Sequence, residues 1–253
     1  MPIRAVVFDL FDTLVDLLGE EMPRTEYQGR MIPSSFLSLH ALTAEYGEIS
    51  FDAFLSTMRE LEKQFLESHY AQQKELPTTE RFTTLARRLE LEDDRLISAL
   101  VDTHMDGLRE HVRVLDHHED VLSLLKERVR LGLCSNFSHT PAAQKVLDQA
   151  NLSDLFDVVV ISDAAGMRKP HSEIFRITLD SLELDPDEVL HVGDSLKADV
   201  AGAAALGIRT VWITRRIADP VTALAEYTGP RPDFQIADLS ELVSILDDLE
   251  TAK

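Results

Sequence analysis

Ile3-Arg4-Ala5-Val6-Val7-Phe8-Asp9-Leu10-Phe11-Asp12-Thr13-Leu14 is the stretch that decides the fold. From Ile3 to Phe8 it is apolar and rich in β-branched residues apart from Arg4, which predicts a buried strand. The strand delivers a carboxylate, Asp9, to its C-terminal end, and the turn-prone pair Asp12-Thr13 follows. Open α/β sheets gather their ligand chemistry at that end of the strands. A carboxylate held there can serve as a metal ligand, a nucleophile or both.

The same kind of run recurs at Val129–Cys134, Phe156–Ile161, Val189–Val192 and Ile208–Ile213. Each is nearly continuous in apolar residues, as parallel strands covered on both faces require. Helical patterns separate them. Ala142–Ala150 follows a Thr140-Pro141 start, Phe175–Leu184 ends at the Asp185-Pro186 breaker, and the Ala-rich Asp199–Leu206 stops at Gly207. Strand and helix in alternation imply right-handed crossovers and one parallel sheet, an α/β, Rossmann-like, doubly wound core. Between the first and second strands the texture changes. Ser34–Tyr46, Phe51–Tyr70, Thr79–Leu89 and Asp94–Arg109 all carry apolar residues at helical spacing. We expect an all-helical insertion over residues 15–111, with residues 1–14 and 112–253 forming the core. Beside a strand-end carboxylate, such an insertion reads as a lid.

Composition narrows the function classes. With 25 Lys plus Arg against 45 Asp plus Glu the formal net charge is −20, a field that repels nucleic acid and anionic membranes. The dense basic pairs, Arg87-Arg88 and Arg215-Arg216, are too small for a nucleic-acid footprint. No uncharged apolar run reaches the ~18–20 residues of a membrane span. The single cysteine, Cys134, excludes an internal disulfide and reads as a buried small hydrophobe. The start lacks a secretory pattern, because Arg4 is followed closely by Asp9 and Asp12. These features point to a cytoplasmic protein with a small-molecule partner; its oligomeric state, monomer or homodimer, is left open by the sequence.

Three further strand ends carry polar residues: Cys134-Ser135-Asn136, then Gly166-Met167-Arg168-Lys169-Pro170-His171, then Gly193-Asp194-Ser195-Leu196-Lys197-Ala198-Asp199. In a doubly wound sheet these loops emerge on one edge and can converge with Asp9. The set suits phosphoryl chemistry. Asp9 would attack phosphorus, and Asp194 and Asp199 supply hard oxygen ligands for Mg²⁺. Ser135 offers a hydroxyl and Lys169 a point charge to the phosphate oxygens. Taken singly, each residue also has a structural reading, Asp199 for instance as a helix N-cap.

With these motifs in place, the chain resembles the haloacid dehalogenase-like hydrolase superfamily, with a helical cap inserted after motif I. Asp9 with Thr13-Leu14 resembles motif I, Ser135-Asn136 motif II, Lys169-Pro170 motif III, and Gly193-Asp194 through Asp199 motif IV. The resemblance implies a Rossmann-like core, a mobile four-helix cap and Mg²⁺-dependent hydrolysis of a phosphomonoester through an aspartyl-phosphate on Asp9. Asp9, Asp194, Asp199 and the Phe11 carbonyl would serve the metal, and Ser135, Asn136 and Lys169 the phosphate.

One position departs from that pattern. Phosphatases of the superfamily carry a second Asp two residues after the nucleophile, as acid and base for the leaving group, and here that position is Phe11. Asp12 lies one place later, and alternation along an extended chain aims it elsewhere. It reads as a turn former, with a substrate-side role as the alternative. An aromatic at this position resembles the L-2-haloacid dehalogenases, which need no Mg²⁺. The paired acids of the fourth motif oppose that reading, and Arg24, Arg30 and Arg59 form no substrate-carboxylate pattern. A phosphonate-cleaving enzyme would use a cap lysine, for which Lys63 and Lys74 are available, but Lys63 lies among Glu60, Glu62 and Glu67 as a surface charge pair would. A catalytically weakened protein that binds a phosphorylated ligand is a further alternative. Among the nine histidines, His117-His118 are adjacent, so one helix face would not present both to a metal. His139 and His171 read as solvated loop residues and His191 as packed in a strand.

Overall fold

A computed structural model describes residues 2–251 and divides into two compact units, residues 1–16 with 113–253 and residues 17–112. The first unit is built on a six-stranded parallel sheet. Its strands are β1 (Ala5–Phe8), β2 (Arg130–Ser135), β3 (Val158–Ile161), β4 (Val189–Gly193), β5 (Arg209–Ile213) and β6 (Phe234–Ile236), in the spatial order β6-β5-β4-β1-β2-β3. β1 therefore lies at the centre, where the winding reverses direction, the place at which such sheets open a crevice. Every residue of β1 is buried, as a strand covered on both faces must be. Phe8 is in register with Leu133 of β2 and with Val192 of β4. The residues that follow these three strands consequently leave the sheet side by side.

The apolar faces of Ala5, Val7, Cys134, Ile174, Phe175 and Val189 close one side of the sheet. Burying such side chains contributes about 1.5–3 kcal/mol each before the entropy of ordering is subtracted. β6 is a strand that the apolar pattern did not announce. It is three residues long, at the sheet edge, and Asp233 just before it binds the Thr210 backbone N–H at 2.8 Å. The predicted Asp199–Leu206 helix begins instead with a wide turn, Leu196–Val200, before the short helix Ala201–Ala204. Helices at His118–Lys126, Pro220–Glu226 and Leu242–Thr251 complete the layers.

The second unit contains helices Ser35–Thr43, Phe51–Ser68, Thr78–Arg88 and Asp94–Arg109, close to their expected bounds. Ser50 caps the second of these through the Ala53 N–H, and Asp93 caps the fourth through the Arg95 and Leu96 N–H groups. The unit is not helical throughout. An antiparallel hairpin pairs Arg24–Tyr27 with Arg30–Pro33 across Gln28-Gly29, both at positive φ (50° and 72°), the geometry of a two-residue hairpin turn. Its strands are mostly exposed, so they lack the apolar run by which the buried strands were recognised. Lys63 and Lys74 are exposed. No helix among the described residues is long and apolar enough to cross a membrane.

The chain leaves and re-enters the first unit through Asp16 and Arg113, on short strands that pair as Val15–Leu17 with Val112–Val114. Asp16 is wholly buried, with Arg113 and Arg215 on its carboxylate, the latter at 2.6 Å. Burial pushes its carboxyl up, but the two guanidinium groups outweigh that and hold it below the ordinary carboxylate value.

Candidate active site

Four loops at the C-terminal edge of the sheet bring Asp9, Ser135, Lys169, Asp194 and Asp199 into one cluster. Lys169 is its centre. The lysine is 3% exposed, and its Nζ lies 2.8 Å from Asp9 Oδ1 and 2.6 Å from Asp199 Oδ1. A buried ammonium survives only when paired. Burial works against its charge, but the Asp199 and Asp9 carboxylates outweigh burial and raise its pKa above the usual lysine value. The backbone that carries it is clamped by Asn136, whose Oδ1 accepts from the Lys169 N–H at 2.7 Å and whose Nδ2 donates to the Lys169 carbonyl at 3.0 Å. Asn136, expected to touch substrate, thus uses both ends of its amide to hold Lys169.

Asp199 is engaged on both oxygens. Oδ1 meets Lys169 and, at 3.0 Å, His191 Nε2; Oδ2 accepts from the Ser195 N–H at 3.0 Å. Burial alone would raise its pKa; Lys169 and His191 reverse the sign and hold it well below the usual carboxylate range. This approach requires Gly193, where a Cβ would come within 2.2 Å of Asp199 Cγ. His191, expected only to pack, is a polar anchor of the site. Its signal in the sequence was the spacing to Asp199 alone, which is uninformative until the wide turn brings the carboxylate back over the strand.

Asp9, Asp194 and Asp199 each present an oxygen within 4.8 Å of the others. The crowding shows in Asp194, whose pKa is pushed up to about 8 by burial first, and then by Asp9, Asp199 and Asp12. Burial also raises Asp9, with Lys169 offsetting part of the shift. Three carboxylates against one lysine leave an excess of negative charge and hard oxygen donors, a composition that fits a divalent cation of the Mg²⁺ type. Ser135 Oγ is buried with no hydrogen-bond partner among the described residues. An orphaned hydroxyl in this position is a donor in want of an acceptor.

Phe11 and Asp12 take other partners in the loop that follows β1. The Phe11 ring packs on Phe137, centroids 4.7 Å apart and tilted by 37°. Asp12 has a φ of 59°, which Asp tolerates better than most residues. Its N–H donates to the Val15 carbonyl at 2.6 Å, and Oδ1 lies 3.4 Å from Arg216 Nε. The turn-forming reading accounts for both contacts. His171 caps the helix Ser172–Leu182 through the Glu173 N–H. Cys134 is buried, with its thiol pushed up to about 11 by burial, and is not poised as a nucleophile.

Comparison with known proteins agrees with this architecture. Residues 3–207 match the model of the haloacid dehalogenase-like hydrolases. A glyceraldehyde 3-phosphate phosphatase of Pyrococcus furiosus is 30% identical over 97% of this chain and 93% of its own length. A ribulose-1,5-bisphosphate 5-phosphatase of Halopiger xanaduensis is 31% identical over 66% of this chain and 72% of its own. The crystal structure of a 2-haloacid dehalogenase from Pseudomonas syringae superposes with a TM-score of 0.65 over 97% of this chain and 99% of that one, at 20% identity, a likeness of fold alone.

Proposed function

Because this chain belongs to the haloacid dehalogenase-like hydrolases, we propose that it is a phosphatase of a small phosphorylated metabolite, of the sugar-phosphate kind named for its relatives. The observation that carries the proposal is Lys169, buried between the carboxylates of Asp9 and Asp199. That arrangement presents a nucleophile and a fixed cation to the same anion. In the proposed reaction an Asp9 oxygen bonds to phosphorus while the bond from phosphorus to the ester oxygen breaks. The ester oxygen leaves with a proton taken from water, since Phe11 supplies none. Water then attacks the phosphorus of the aspartyl-phosphate, the bond to Asp9 breaks, and phosphate and the free carboxylate are returned.

Ser135 and Lys169 hold the oxygens of the transferring group, with Asn136 and Asp199 fixing the lysine. Asp9, Asp194 and the Phe11 carbonyl would hold Mg²⁺, with Asp199 in support; when bound, the ion neutralises the meeting of two anions. The insertion, residues 15–111 by its sequence pattern, would act as the substrate-selecting cap. The reading is tested by turnover of p-nitrophenyl phosphate and acetyl phosphate with and without Mg²⁺, beside chloride release from 2-chloropropionate. Phosphate release abolished by EDTA and restored by Mg²⁺ is expected. Chloride release that survives EDTA would make the chain a dehalogenase instead, and thermal stabilisation by phosphate ligands without turnover would make it a binding protein.

A further inference from the structure

A second cluster of ligand-type side chains lies in the same unit, outside the carboxylate site. His117 and His118 stand at the start of the helix His118–Lys126, and Asp238 caps the turn Leu239–Glu241 that follows β6. Their adjacency in sequence argued against a shared ion on one helix face. At this helix start the two rings nevertheless come together, meeting edge-on, 4.7 Å apart at 79°. A third ligand arrives from the far end of the chain. His117 Nε2 lies 2.9 Å from Asp238 Oδ2, and each of the three residues offers a ligand atom within 4.8 Å of the others.

The second observation is His118 itself, 1% exposed. Its Nδ1 is 2.8 Å from the Leu14 carbonyl, which can only accept, so Nδ1 carries the proton and Nε2 presents a lone pair. That Nε2 is buried and has no hydrogen-bond partner among the described residues. A neutral imidazole oriented by a backbone carbonyl, its other nitrogen bare, is the arrangement that metal-ligating histidines adopt. Asp238 is prepared in the same way. Its Oδ1 accepts from the Ser240 N–H at 3.0 Å and from the Ser240 hydroxyl, which leaves Oδ2 facing the histidines.

We propose that His117, His118 and Asp238 form a second cation site, for a borderline divalent transition ion of the Zn²⁺ class. Two imidazoles and one carboxylate favour such an ion over Mg²⁺, whereas the all-carboxylate cluster around Asp9 has the opposite preference. Bonds of about 2.0–2.1 Å place tetrahedral ligands roughly 3.4 Å apart. The adjustment falls to His117 Nε2 and Asp238 Oδ2, 2.9 Å apart, which would part to admit the ion and draw towards His118 Nε2; their side chains are 50% and 36% exposed and give the ion its way in. A fourth, water-filled position completes the coordination. Through the Leu14 carbonyl, the site would also stiffen the turn that follows Asp9.

The test is calorimetric titration of ZnCl2 into the full chain, stripped with EDTA, dialysed and saturated with Mg²⁺. One equivalent of Zn²⁺ should bind. His117→Ala, and separately Asp238→Asn, which keeps a capping side chain, should each weaken binding on the order of 10²-fold while leaving the melting temperature of the zinc-free protein close to wild type. Asp194→Asn should leave zinc binding unchanged. No bound equivalent in the wild-type chain, undiminished binding in both histidine-site variants, or loss of binding in Asp194→Asn would each overturn the proposal.

Discussion

At the C-terminal edge of the core sheet, the side chains that matter are bound to one another: Lys169 to Asp9 and Asp199, Asp199 to His191, and Asn136 to the Lys169 backbone. In the inserted unit, the deeply buried side chains include Phe54, Leu61, Phe82, Leu85 and Leu96, whose packing is non-directional. The edge is specified by chemical identity at single positions, the insertion by size and apolarity at helical spacing. Volume-conserving swaps are tolerated in the second case and not in the first. A substitution at the edge should therefore change turnover more than stability, and one in the insertion the reverse.

The largest expected effect breaks the edge at its nucleophile. Asp9→Asn should lower phosphate release by at least about 10⁴-fold with an unchanged far-ultraviolet circular dichroism spectrum; residual turnover near wild type would sink the mechanism. Lys169→Met comes next. It removes the cation that two buried carboxylates share, so here, as an exception to the rule for the edge, both quantities should fall, kcat by ~10²–10³-fold and stability by about 3–5 kcal/mol in urea titration. Phe11→Asp sharpens the comparison from the other side. If the missing acid limits the rate, hydrolysis of alkyl phosphates should rise by the order of 10²-fold, with little gain on p-nitrophenyl phosphate, whose leaving group needs no proton. Equal gains on both substrates would mean that something other than protonation is limiting.

How much of this could be read beforehand follows the same division. Asp9, Ser135, Lys169, Asp194 and Asp199 were legible because each follows an apolar run, and parallel strands deliver their ends to one edge. The supporting layer was not. His191 sits inside β4, where a histidine reads as packing, and only the wide turn Leu196–Val200 returns Asp199 to it. Asn136 was recognisable as a polar strand-end residue, but nothing in its position foretold that it would grip a backbone 33 residues away. In the insertion the four helices announced themselves by period, whereas the hairpin from Arg24 to Pro33, with only Ile32 buried, had no apolar alternation to announce it.

One titration tests the insertion by itself. His104 packs on Phe82, ring centroids 5.6 Å apart, and burial, with a smaller contribution from Arg81, lowers its pKa to about 4. The unfolded chain, with an ordinary histidine near 6.5, binds that proton sooner. The stability contributed by neutral His104 is therefore complete above pH 6.5 and is lost as pH falls towards 4, by about 2–3 kcal/mol. Chemical denaturation at pH 7.5 and 4.5 should show this loss in the wild type and a smaller one in His104→Gln; equal losses would place the titrating group elsewhere.

The smallest expected effect is the most discriminating, because it falls on the one edge residue that obeys the insertion's rule. Asp12 holds a turn at φ 59° and faces Arg216, with side chains 33% and 24% exposed. Asn adopts that backbone region as readily, so Asp12→Asn preserves the turn while it removes a partly solvated ion pair worth ~0.2–1 kcal/mol and a minor part of the charge that raises Asp194. Turnover should stay within about threefold of wild type on alkyl and aryl phosphates alike. A loss on the order of 10²-fold confined to alkyl phosphates would show that Asp12 supplies the leaving-group proton after all. The aromatic pair of Phe11 and Phe137 would then be what steers Asp12 into the site.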